Sequence, residues 1–135
     1  MADENTNSVN TLPNKAQALY QFWSSFGLEA YDSTVVLSEG AHMPYITYTV
    51  ETDSIDNTLV MSASLWYRSM SWEDISLKTD EISRYINNMN PPAVEIEGGR
   101  MYVTKGTPFA QRMSDEDPYI RRMVLNIEVE FFTEY

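Results

Sequence analysis

Few residues in this 135-residue sequence have the types and spacing that chemistry requires. The one histidine, His42, lies beside Gly40 and ahead of Met43-Pro44, with no HExxH pattern and no nucleophile elbow around it. A solvated or capping histidine is the expectation there. Carboxylates pair at Glu95/Glu97 and at Glu128/Glu130, each pair straddling an apolar residue. On a strand both members of such a pair project from one face, about 7 Å apart, a spacing open to acid–base work. No apolar stretch nearby offers the desolvated pocket that would split their proton affinities, so two wet strand faces are expected instead. Asp115-Glu116-Asp117 offers oxygen ligands for calcium but lacks the alternating acidic pattern and glycine of a dedicated loop. Gly98-Gly99 reads as a turn, and no helix follows it to hold phosphate. Arg121-Arg122 is the only adjacent basic pair, and neighbours on a strand point to opposite faces, so salt bridges to nearby glutamates are expected. No catalytic set, metal site or cofactor site emerges, and a non-enzymatic protein is the expectation.

The composition bounds the alternatives. The length suits one domain, expected over residues 13–135, and such a domain folds without metal or disulfide. The absence of cysteine removes disulfide frameworks, thiol catalysis and cysteine-based zinc sites. Nine basic against twenty acidic residues give a net charge of −11, which opposes tight binding to nucleic acid. No stretch approaches the ~20 apolar residues of a membrane span, and Met1 to Asn10 lacks the basic start and apolar core of a signal peptide. The protein is therefore expected to stay where it is made. Aromatics reach 13%, with nine tyrosines and three tryptophans, a bias shared by cores and contact surfaces.

The elements that must position these residues follow from periodicity. Residues 1–12 are nearly devoid of apolar side chains and read as a flexible arm. A helix is expected from Pro13 to Phe26, ended by Gly27, with Ala16, Leu19, Tyr20 and Trp23 as its stripe, widened by Phe22 and Phe26. A weak extended segment is expected near Tyr31 to Leu37. Alternation then marks strands at Tyr45–Glu51 and Thr58–Arg68. Ser71, with Asp74 three residues on, opens a second helix that Pro91-Pro92 stops. Val94 to Val103 reads as a hairpin whose loop is Gly98-Gly99, pairing Glu97 with Arg100, Ile96 with Met101 and Val94 with Val103. Lys105 to Pro118 reads as a polar loop, and Tyr119 to Thr133 as the last strand. The fold class expected is α+β, a mostly antiparallel sheet of about five strands with two helices packed on one face.

Tyr45, Trp66, Phe132 and Tyr135 fall opposite the expected core face or beyond the last strand. Several aromatics together on one outer face would mark an interface. The acidic cluster Asp115, Glu116 and Asp117 is the other candidate surface.

These strings also carry a resemblance. The order is a helix ending Phe26-Gly27, a strand beginning Pro44-Tyr45-Ile46-Thr47-Tyr48, and a strand ending near Trp66-Tyr67. A long helix, the Gly98-Gly99 hairpin and the closing run Arg121 to Phe132 (R-R-x-V-x-x-I-E-V-E-F-F) follow. Over residues 13–133 this order resembles the tail terminator, or tail completion, proteins of long-tailed bacteriophages. The resemblance implies a virion structural protein of the tail or neck, made in the host cytoplasm, without catalysis or cofactor. It implies a homo-oligomeric ring, commonly a hexamer, that binds the tail tube protein, stops tube growth and meets the head–tail connector protein. Exposed aromatics and open sheet edges fit such assembly, and acidic residues 115–117 would line a channel through which DNA passes without sticking. Two other readings compete: a monomeric acidic binding or inhibitor module, and a small α+β enzyme.

Overall fold

The computed structural model describes residues 11–38, 40–52 and 58–134. Among these the chain forms two helices and one six-stranded mixed sheet, an α+β fold.

Helix α1 is Lys15–Ser24. It starts where it does because Asn14 and Gln17 form a reciprocal capping box. The Asn14 side chain accepts from the Gln17 N–H at 2.8 Å, and the Gln17 side chain accepts from the Asn14 N–H at 3.0 Å. Pro13, expected inside the first turn, lies just ahead of the cap, where its carbonyl accepts from the Glu97 N–H at 2.8 Å. Gly27, with φ +82°, turns the chain away after the helix. The buried side is Ala18, Leu19, Phe22 and Trp23, continued by Phe26, whereas Ala16 and Tyr20 are exposed. Phe22, Trp23 and Phe26 contact one another with ring centroids 4.9 to 6.4 Å apart, so the bulkiest triplet sets the helix rotation.

Helix α2 is Glu73–Asn88, with Trp72 at the cap position and no side-chain cap bond from it. Ser71, expected as the cap, instead supplies its hydroxyl to the Glu73 N–H at 3.0 Å from one residue earlier. Ile75, Thr79, Ile82 and Ile86 are buried, and Thr79 satisfies its hydroxyl by donating to the Ile75 carbonyl at 2.8 Å.

The strands are β1 (Glu29–Asp32), β2 (Tyr45–Tyr48), β3 (Leu59–Arg68), β4 (Ala93–Ile96), β5 (Gly99–Met113) and β6 (Ile120–Thr133). Their order is β1-β2-β3-β6-β5-β4. All neighbours are antiparallel except β1 and β2, which run parallel, so the sheet is mixed and has one strand more than expected. The weak segment expected at Tyr31–Leu37 is β1, shifted towards the N-terminus, and Val35 and Val36 are exposed beyond it.

The sheet curls. Helix α1 touches β1 and β2 at one edge and also β4 at the other, while α2 lies over β3, β5 and β6. Both helices sit on the concave face, where Ile46, Met61, Leu65, Met101, Val103, Leu125 and Ile127 are all buried. The Lys78 ammonium ties the two helices together by donating to the Phe26 carbonyl at 2.7 Å.

Two expectations are corrected. The β4–β5 hairpin turns at Glu97-Gly98, not Gly98-Gly99, and pairs Val94 with Met101, Glu95 with Arg100 and Ile96 with Gly99. Gly98 supplies the positive φ of +81°. Gly99 is needed elsewhere: a Cβ there would stand 1.8 Å from the Phe132 carbonyl oxygen. The two-residue slip keeps the same side chains inside, which is why alternation alone could not detect it.

The polar loop expected from Lys105 to Pro118 is mostly strand. β5 continues to Met113 beside β6, with a register break between Lys105 and Ala110. Gly106 and the cis Thr107–Pro108 bond lie inside that break, which hides the strand from any count of alternation.

Candidate interface on the outer sheet face

With the concave side filled, the opposite side chains of the strands form the outer face. Tyr45 and Trp66 are cross-strand partners on it. The Trp66 indole N–H donates to the Thr47 hydroxyl at 2.9 Å, and Tyr31 packs edge-on to Tyr45 with ring centroids 5.8 Å apart. Arg122, paired with Trp66 across β3 and β6, lays its guanidinium 4.8 Å from the Trp66 ring centre. Its Nε donates to the Ser64 hydroxyl at 3.0 Å. These bonds fix the rotamers of a half-buried patch: Tyr31, Tyr45, Trp66 and Arg122.

Phe132 lies on the same face but does not join that patch. It sits ten positions further along β6 from Arg122, roughly 33 Å of strand. There it is 51% exposed and packs edge-on to Tyr102 with centroids 5.2 Å apart. Gly99, Arg100, Tyr102, Glu130 and Phe132 line a shallow cleft of about 550 Å³. Tyr135, the fourth aromatic expected at an interface, lies outside the described residues. The sequence reading missed Tyr31 and Tyr102, and took Arg122 for a salt-bridge residue. Tyr31 was obscured by the misplaced first strand. Tyr102, between buried Met101 and Val103, lies on the outer face opposite Glu130.

The acidic cluster Asp115, Glu116 and Asp117 occupies the tight β5–β6 turn. Two of its carboxylates cap backbone: Asp115 accepts from the Asp117 N–H and Asp117 from the Tyr119 N–H, both at 2.9 Å. Asp117 also lies 3.9 Å from Arg68. Asp115 and Glu116 remain exposed at the tip.

Arg121 and Arg122 do not form the expected salt bridges; among the described residues neither has a carboxylate within 4.0 Å. Arg121 donates to the carbonyls of Met70 at 2.6 Å and Pro118 at 3.2 Å, pinning the β3–α2 connection to the β5–β6 turn. Its guanidinium and that of Arg112 lie 5.3 and 4.7 Å from the Trp72 ring centre. Glu97 stands in a turn rather than on a strand, so only Glu128 and Glu130 project together as expected. His42 is exposed in the β1–β2 connection. Among the described residues no group of three or more His, Cys, Asp or Glu is placed to hold a metal ion, and no helix is long and apolar enough to cross a membrane.

Behind the outer face two phenols are perturbed. Burial pushes Tyr67 above the usual tyrosine value, with the Asp74 and Glu81 carboxylates adding to the shift. Burial raises Tyr48 likewise, reinforced by Asp32 and Tyr20. A raised folded-state value means that the unfolded chain loses its proton first as pH rises. The stability these phenols contribute is complete below about pH 10 and is lost above it. Tyr67→Phe is therefore expected to flatten the alkaline fall in stability. Urea unfolding from about pH 9 to about pH 11 measures it, and an unchanged slope would contradict the assignment.

Set against models of known families and against curated proteins, the chain gives no match.

Proposed function

We propose that this chain is a virion structural protein that assembles into a homo-oligomeric ring at the head-proximal end of a phage tail tube. In this reading the ring stops tube polymerisation and joins the tail to the head connector, and DNA passes through without tight binding. The observation that carries it is the aromatic outer face. Tyr31, Tyr45, Trp66, Tyr102 and Phe132 stay accessible after the interior is filled. The two segments behind the resemblance, Pro44–Tyr48 and Arg121–Phe132, supply two of those five aromatics, Tyr45 and Phe132, together with Trp66's partner Arg122.

The net charge of −11 supports the same reading, since a channel lined by Asp115, Glu116 and other carboxylates repels DNA and keeps it from being trapped. Electron microscopy of the purified protein, alone and mixed with tail tubes, tests the proposal. Rings, or tubes of fixed length capped at one end, are the expected result. A protein that stays monomeric and leaves tubes uncapped would count for the monomeric acidic module instead.

A further inference from the structure

We infer that copies of this chain join through the outer sheet face in a head-to-tail sense. The Tyr45–Trp66–Arg122 patch of one copy seats on the Tyr102–Glu130–Phe132 patch of the next. The inference rests on the assembly reading above and supplies its contact surface.

The two patches differ in charge as well as position. At the first, Arg122 is stacked on Trp66 with no carboxylate within 4.0 Å among the described residues. Arg68 stands at its rim with a side chain 63% exposed, 3.9 Å from Asp117, and Glu29, across from Tyr45, is a second opposing charge. At the second patch Glu95, Glu128 and Glu130 face one cation, Arg100, and none of them forms a salt bridge within 4.0 Å among the described residues. One end thus offers aromatics beside a guanidinium, that of Arg122, with no carboxylate within 4.0 Å among the described residues, and the other offers aromatics with a surplus of carboxylates.

A second copy is the occupant that fits, because each copy carries both halves of the contact on one face. Two different patches meeting is a heterologous contact, which closes into a ring when the rotation between copies allows. Strand addition along β5 is the poorer route. The free margin of β5 is broken between Lys105 and Ala110, and Pro108 in that break has no N–H to donate. Open sheet edges, expected from the sequence to drive assembly, are blunted there. Between the patches the face carries the uncharged side chains of Val60, Ser62, Ser64, Val124 and Asn126.

Charge reversal tests the pairing. Arg122→Glu and Glu130→Arg, each alone, are expected to weaken self-association about tenfold or more by analytical ultracentrifugation. An equimolar mixture of the two variants is expected to recover it, because every junction in an alternating assembly again pairs Arg with Glu. Arg122 also supports Trp66 and Ser64, so Glu130→Arg is the variant that leaves that network intact, and near-ultraviolet circular dichroism checks both folds. Folded variants that associate like the unmodified chain, or that fail to recover on mixing, would overturn the inference. Rings indifferent to both reversals would leave the ring reading standing and remove this contact. Closed two-copy particles with charge rescue would keep the contact and remove the ring. A chain that stays monomeric alone and on tube ends would remove both.

Discussion

Gly99→Ala is expected to destabilise the fold by about 3 kcal/mol or more, at or beyond the top of the usual range for overpacking. The added methyl would stand 1.8 Å from the carbonyl oxygen of Phe132 and 2.8 Å from its carbonyl carbon. Both are backbone atoms of β6, so no side-chain rotation relieves the clash. β5 is bound to β4 and β6 at this point, through Ile96 and Thr133, and has to move away from one of them. Gly98→Ala is expected to cost less, about 1–2 kcal/mol, for placing a Cβ on a positive φ. Urea denaturation of the two variants measures the order. A Gly98 variant less stable than the Gly99 variant would contradict the register described above. Gly99 also lines the cleft with Tyr102 and Phe132, so its replacement is expected to weaken self-association where the Gly98 change does not.

Trp23→Ala is expected to cost about 3–5 kcal/mol, a large share of the ~5–15 kcal/mol that holds a typical domain. Trp23 has no exposed surface and is among the largest fully buried side chains. Its ring packs against Phe22 and Phe26, on the helix that touches both edges of the curled sheet. Losing it therefore loosens the closure as well as opening a cavity. Trp23→Phe is expected to be much milder, because the indole N–H is buried without a hydrogen-bond partner among the described residues. Phenylalanine removes that unsatisfied donor, which costs about 1–3 kcal/mol where it stands, and so offsets part of the lost packing. Thermal unfolding compares the two, and equal losses would show that the N–H has a partner.

The contrast between these glycines and this tryptophan shows which features were legible in the sequence. The Leu19, Phe22, Trp23 and Phe26 side of α1 and the alternation of β2, β3 and β6 are local patterns, although Ala16 and Tyr20, expected on the same stripe, face outward. Each element has a wet side and a dry side, and its period alone says which residues share the dry one. The aromatic outer face was half-legible for the same reason: Tyr45, Trp66 and Phe132 stood out as large side chains on the wrong side of their strands.

Other features depend on neighbours far away in the chain. A slip of two residues in the β4–β5 hairpin leaves every face unchanged, and the register is seen only in the tertiary structure, where Gly99 lies against the Phe132 backbone. β5 beyond Lys105 is a strand because β6 pairs with it across a register break, although its own residues read as a loop. The separation of Phe132 from Trp66, and the assignment of Tyr102 and Arg122 to opposite ends of one face, come from the order in which the strands align. The sequence by itself determined the periodicities, the acidic surplus and the surplus of aromatics. Tertiary structure alone decided register, sheet curl and the grouping of outward side chains, because these depend on close backbone contacts between segments distant in sequence.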